Sequence, residues 1–273
     1  MELSFIKTDP TGNTTILVES SVPRNRYAET AAALMRRENL CAEQVGFIEE
    51  PERGARARLC MMGGEFCGNA AMSLAAFIAH RDGVSDMIVP LEMSGVSGII
   101  TCGVKQTNGG TVYSGSVEMP PPEHIGRAGL PLGGTVAHLV GVKLPGITHI
   151  IVPVRMFKTM ELAKEAVNLV AGKWIDLVRS DALGIILFDA KTCYIEPLVC
   201  VKGSGTATWE HGCASGAAAI AYYISSSEGC GASLRVRQPG GVIDADATYE
   251  NGSVKKVTVR GKVRIVARGV TYI

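Results

Sequence analysis

The chain has little aromatic content, 5% of its residues, and no long run of charge of either sign; 27 basic side chains nearly cancel 26 acidic ones. Balanced, scattered charge argues against nucleic acid or an anionic membrane as a partner. No stretch approaches the roughly 20 consecutive apolar residues of a membrane span, and residues 1–7 show no basic segment followed by an apolar one, so the expected location is cytoplasmic. None of the eight cysteines forms a CxxC pair, which removes zinc knuckles and thioredoxin-like redox motifs. No Gly-x-Gly-x-x-Gly follows a strand, there is no P-loop, and no lysine has a convincing pyridoxal context, so neither cofactor nor metal is expected.

What is present is a chain of 273 residues, 47% hydrophobic, with 32 glycines. That suits two domains with many turns and close backbone approaches rather than a helical bundle. Without a secretion signal the cysteines are expected to be free thiols, and Cys60 and Cys200, inside strand-like runs, read as small buried hydrophobes.

Two other cysteines stand in matching settings. Met61 to Ser73 contains Glu65-Phe66-Cys67-Gly68-Asn69-Ala70, and Trp209 to Ala219 contains Glu210-His211-Gly212-Cys213-Ala214-Ser215-Gly216. In each, a β-rich run leads to a cysteine, then small residues, then an Ala-rich apolar helix. Exposed N–H groups in a first helical turn favour anions and are expected to lower the pKa of a nearby thiol.

Along the chain, strands are expected from Phe5 and over 14–18, 41–48 and 57–62, with a turn at Asp9–Asn13 and a helix over 27–37. The first cysteine helix ends near His80. A meander follows over 88–93, 98–104 and 111–119, with a hairpin turn at 107–110. Pro120-Pro121-Pro122 marks the expected domain boundary. Beyond it come a strand over 147–154, a helix over 160–170, strands over 183–188 and 194–201, the second cysteine helix to about Ser225, and strands over 233–236, 242–248 and 254–266. The repeated order points to an ancient duplication. The expected domains are 1–119, to which 267–273 returns, and 120–266, with the active site in the cleft between them.

Two thiols on opposite sides of a small ligand suit racemisation. One thiolate takes the α-proton of an amino acid and the other thiol delivers a proton to the far face. An α-proton is far less acidic than a thiol, so the carbanionic state needs preorganised N–H groups at the carboxylate. A non-catalytic amino-acid-binding protein and a thiol redox sensor are the rival classes.

Gly12-Asn13, Phe66-Cys67-Gly68-Asn69, His149 and Glu210 to Gly216 resemble the diaminopimelate epimerase superfamily over nearly the whole chain. Pro10 to Val18, Glu43 to Glu49, Glu65 to Ala70 and Gln238-Pro239-Gly240-Gly241 resemble, within it, the histidine racemases of staphylopine-type metallophore synthesis. The resemblance implies an α/β (α+β) fold of two pseudo-symmetric lobes, each a curved, mostly antiparallel sheet or barrel around a central helix. It implies Cys67 and Cys213 as the acid/base pair. Asn13, Glu43, Gly68, Asn69, His149, Glu210, Ala214, Ser215 and Gly216 are implied around the substrate, with no cofactor. The implied reaction converts L-histidine to D-histidine, with diaminopimelate or another amino acid as the alternative substrate and a homodimer as an admissible assembly. His211 departs from the epimerase pattern, where an arginine follows the glutamate. His80, His124 and His138 read as surface or loop residues, and Trp209 as pocket wall or packing.

Overall fold

A computed structural model describes every residue of the chain except 108 and 204. The expected turn at 107–110 includes position 108 and so lies partly outside the described residues. The chain divides into two compact units, Met1–Glu118 with Thr258–Ile273, and Met119–Val257.

The first unit is built around an unusual helix. The sequence from Gly68 to Ala79 is apolar on every side, so no single stripe can satisfy it, and a helix of that kind has to be enclosed. In α2 (Gly68–Arg81) all twelve of these residues are buried. The enclosure is a ring of eight strands: β1 (Glu2–Pro10), β2 (Thr15–Val18), β3 (Gln44–Glu49), β4 (Ala57–Met61), β5 (Asp86–Met93), β6 (Ile99–Gln106), β7 (Val112–Met119) and the long β16 (Ser253–Tyr272). Strands follow one another around the ring in that order, and β16 closes it by pairing antiparallel with β1, from Glu2 opposite Tyr272 to Pro10 opposite Val263. Alternation sets the inner face. In β7, Tyr113, Gly115, Val117 and Met119 are buried while the residues between them are not. Burying Leu74, Phe77 and Ile78 of α2 in this ring stabilises it by roughly 1.5–3 kcal/mol each. The helix α1 (Tyr27–Met35) packs outside, where Tyr27, Ala31 and Leu34 cover Phe47 and Val45 of β3 and Tyr27 stacks on Phe47.

In the second unit the sheet order is β8 (His124–Leu132), β9 (Thr135–Leu144), β10 (Ile147–Pro153), β11 (Ala182–Asp189), β12 (Tyr194–Val201), β14 (Ala232–Gln238) and β15 (Gly241–Glu250), followed by the start of β16; β13 (Thr206–Trp209) pairs with β12 alone. One sheet face packs on α4 (Ala214–Glu228), and the other on α3 (Met160–Leu177) through Ala163, Val167, Ala171, Trp174 and Ile175. Covered on both faces, the parallel pair β10 and β11 is buried at every position but the last of each strand, and β11 reads as an almost continuous apolar run. The Tyr222 hydroxyl of α4 donates to the carbonyls of Met119 and Pro120, so the proline run is tied to the central helix of this unit.

Several expectations need correction. Only 267–273 was expected to return to the first unit, but 258–273 does, because β16 runs unbroken through Gly269, which pairs with Phe5 of β1. The hairpin of β8 and β9 was not foreseen; its glycines and Pro131 mask an alternating pattern joined by Gly133 and Gly134, both at positive φ. His80, His124 and His138 are exposed as expected, the last two on β8 and β9 and the first near the end of α2 with Nδ1 3.2 Å from the Tyr113 hydroxyl. The helix α3 passes beyond Val170 through Gly172, since burial of Trp174 and Ile175 outweighs the roughly 1 kcal/mol glycine penalty. The strand expected from Cys41 begins at Gln44, because Cys41 sits in a turn at φ 48°. Among the described residues no helix is long and apolar enough to cross a membrane.

Candidate active site

In the first unit the turn after β1 is shaped by Thr11 and Gly12, both at positive φ, and by the Asp9 carboxylate, which accepts from the Gly12 N–H at 2.7 Å. It presents Asn13, fully buried, with its own N–H bonded to the Pro10 carbonyl. Half-buried Glu43 is anchored through its N–H to the Thr14 carbonyl at 2.9 Å. Cys67 is the N-cap of α2. Its sulfur accepts the Ala70 N–H at 3.4 Å, and its thiol donates to Gln44 Oε1 at 2.8 Å. Gly68 and Asn69, the first two helical residues, are buried beside it.

In the second unit Cys213 repeats this arrangement. It is the N-cap of α4 at φ −129° and ψ 107°, against −131° and 110° for Cys67, and its sulfur accepts the Gly216 N–H at 3.4 Å. The Ser215 hydroxyl lies 3.4 Å from the same sulfur. Gln238 brackets the cysteine backbone, accepting the Cys213 N–H at 2.6 Å and donating Nε2 to its carbonyl at 3.4 Å. The preceding loop is held where Gly240 N–H donates to the His211 carbonyl at 2.7 Å and Glu210 N–H to Pro197. Glu210 is buried and His211 is exposed.

Burial and the neighbouring Glu210 charge push the Cys213 thiol well above its ordinary range, while the Ser215 hydroxyl and Gly216 N–H pull weakly the other way. The expectation that the helix mouth lowers the thiol pKa therefore fails for Cys213. One N–H group does not offset the loss of water and a carboxylate nearby.

His149 lies on β10 directly opposite Gly184 of β11. The imidazole is fully buried, neither ring nitrogen has a hydrogen-bond partner among the described residues, and burial lowers its pKa to about 3, so it is neutral at physiological pH. A side chain larger than hydrogen at position 184 would occupy the place of the ring. A neutral imidazole offers one donor and one acceptor to a ligand.

Asn13, Glu43, Cys67, Gly68 and Asn69 thus belong to the first unit, and His149, Glu210, Cys213, Ala214, Ser215 and Gly216 to the second. Sequence reasoning gave no role to Gln44, Gln238 or Glu65. The two glutamines were visible inside motifs that carry the resemblance, and each turns out to bond to a cysteine. Glu65, two residues before Cys67, has a carboxyl pushed up by burial against the pull of the Glu65 and Gly63 N–H groups, and Oε2 has no partner among the described residues. Trp209 is packing: Nε1 donates to Asn168 of α3 at 3.1 Å, and Lys164 lies over its ring. Among the described residues no disulfide joins any of the eight cysteines, and no cluster of three or more His, Cys, Asp or Glu side chains is arranged to hold a metal ion.

The family model described as the histidine racemase CntK N-terminal domain matches residues 2–272. A histidine racemase of Staphylococcus aureus (strain Mu50) is 29% identical over 280 residues, covering 99% of this chain and 98% of the relative. One from Fusobacterium nucleatum (strain ATCC 23726) is 31% identical over 278 residues, covering 99% and 97%. Among solved structures, a hydroxyproline epimerase from Agrobacterium vitis with bound trans-4-hydroxy-L-proline shares the fold with a TM-score of 0.74 at 10% identity, over 99% of this chain and 92% of that one. A methylitaconate-delta-isomerase does so with a TM-score of 0.57 at 11% identity, over 100% and 96%.

Proposed function

The chain belongs to the family of the histidine racemase CntK N-terminal domain, and from that premise we propose that it is an amino-acid racemase that interconverts L- and D-histidine without a cofactor, using Cys67 and Cys213 as its two acid/base groups. The observation that carries the reading is the repeated N-cap: two thiols on two central helices, at the same dihedrals and with the same N–H contact. In each direction one cysteine, as thiolate, removes the α-proton while the other, as thiol, protonates the opposite face. One proton is taken and one given, so the two sulfurs exchange protonation states at each turnover. First-turn N–H groups, which no intrahelical carbonyl satisfies, steady the charge that develops on the substrate carboxylate. The raised pKa of Cys213 suits it to the donor half of a cycle.

Histidine is favoured over diaminopimelate by the segment before Cys213. Only His211 and Gly212 separate Glu210 from Cys213, with no arginine for a distal carboxylate. A distal zwitterion would forgo a charge-assisted pair of roughly 1–3 kcal/mol. An imidazole side chain makes no such demand, and polar groups such as Glu43 and the neutral His149 can meet its N–H and lone pair. In the same reading D-histidine feeds a staphylopine-type metallophore synthesis in the cytoplasm.

The test is incubation with L-histidine, LL-diaminopimelate and other L-amino acids in heavy water, following α-deuteration by NMR and D-isomer formation by chiral chromatography. Wild type should exchange and invert histidine with the highest kcat/KM, and Cys67→Ser and Cys213→Ser should each lose inversion by orders of magnitude while remaining folded. Full activity in either serine variant sinks the two-base mechanism. Turnover of diaminopimelate at least as efficient as that of histidine sinks the substrate assignment. Binding without exchange would identify a non-catalytic binding protein.

A further inference from the structure

We propose that the second unit carries another ligand site, remote from Cys213, for a small amphipathic anion: a carboxylate or phosphate borne on an aromatic or aliphatic body. A cavity of about 670 Å³ lies at the C-terminal end of α4, floored by Ile224 and Tyr223 of that helix, Leu139 of β9, Ile151 of β10 and Phe188 of β11. Its size falls within the roughly 300–1,000 Å³ of small-molecule sites, and an apolar floor suits the body of a ligand. Ile224 is eleven residues along α4 from Cys213, roughly 16 Å at the helical rise. An occupant there does not meet the thiol.

The rim makes the site selective for anions. Arg127 of β8, Arg155 in the turn after β10 and Lys191 in the turn after β11 line it, together with His138. Against them stand Asp189 and Glu228, which leaves one positive charge in excess. Asp189 is already engaged: Oδ1 accepts the Lys191 N–H at 3.0 Å and Oδ2 the Thr192 hydroxyl at 2.7 Å. Arg127 and Arg155 form no ion pair among the described residues. Two arginines beside an apolar concavity match a planar, bidentate acceptor, and the concave wall focuses their field on whatever enters.

The probe is 8-anilinonaphthalene-1-sulfonate, an anion on an aromatic frame, titrated into the full chain by fluorescence; its uncharged relative N-phenyl-1-naphthylamine serves as control. One saturable site per chain is expected, undisturbed by saturating L-histidine. Arg127→Gln/Arg155→Gln should weaken the sulfonate at least tenfold and the neutral dye less than twofold, with an unchanged circular dichroism spectrum. Naphthoate and naphthyl phosphate then compete for the site, and the stronger names the head group. Unchanged sulfonate affinity in the double variant, displacement by L-histidine, equal weakening of the neutral dye, or failure of both competitors would each overturn the proposal.

Discussion

Gly184→Ala tests how His149 is held. A methyl group on Gly184 would lie 2.1 Å from His149 Nδ1 and 2.5 Å from Cε1, where non-bonded heavy atoms normally rest at about 3.5–4.0 Å. The backbone at 184 is ordinary strand, so the substitution carries no φ penalty and the clash is its whole cost. The ring is fully buried and has to move by roughly 1 Å or more into packed surroundings, which costs about 1–3 kcal/mol. The alanine lowers unfolded-state entropy and returns about 0.4–1 kcal/mol of this. At roughly 2–4 °C per kcal/mol for a unit of this size, the net cost of up to about 2.6 kcal/mol should lower Tm by up to about 10 °C. A 1 Å displacement of a positioning group can cost about 100-fold in rate, so kcat/KM for L-histidine should fall by more than the stability change alone explains. Thermal unfolding and D-histidine formation measure the two effects. The decisive comparison is Gly184→Ala/His149→Ala: with the ring gone, the methyl meets nothing, and the double variant should be at least about 1 kcal/mol more stable than the sum of the single changes allows. A single variant with wild-type Tm and rate, or strictly additive effects, would refute the reasoning.

The same histidine sets a pH dependence. Its folded pKa of about 3 lies below the unfolded value, so stability is complete above about pH 6.5 and declines by about 1.4 kcal/mol per unit as the pH falls from there towards 3. Urea unfolding should show wild type losing about 2 kcal/mol more than His149→Gln between pH 6.5 and 5; parallel curves would contradict it. Gln238→Leu removes the acceptor of the buried Cys213 N–H and should cost about 1–3 kcal/mol, with a fall in kcat larger than that of a surface glutamine; wild-type kinetics would show the bracket to be idle. Gly95→Ala would set a methyl 2.3 Å from the Phe66 nitrogen at a φ of 77°, and because that neighbour is backbone the chain leading to Cys67 has to shift. Both soluble yield and turnover should drop sharply, and a normal enzyme would disprove the contact.

Much of this was legible because the informative residues are local. A cysteine followed by small residues and an apolar-all-round helix can be read in sequence, since the period and the cap lie within a few positions of each other. Gln44 and Gln238 were harder. Each reaches its cysteine across 23 or 25 positions, and a glutamine's partner leaves no local trace. The state of Cys213 was misjudged for a related reason: the N–H donor is encoded beside it, whereas the burial that overrides the donor comes from the rest of the fold. The β8 and β9 hairpin escaped because glycine and proline interrupt its alternation, and the continuous β16 because Gly269 reads as a break unless its partner strand is known.

The return of residues 258–273 to the first unit dictates an order of events on the ribosome. Until those residues leave the exit tunnel, the strands from β1 to β7 form an open ring whose two unpaired edges are templates for the wrong neighbour. Synthesis of the intervening 119–257 takes roughly 10–30 s, long enough for that contiguous segment to fold first. The unit whose first strands are made earlier is therefore the later of the two to close, and during that interval the nascent chain depends on whatever shields β1 and β7.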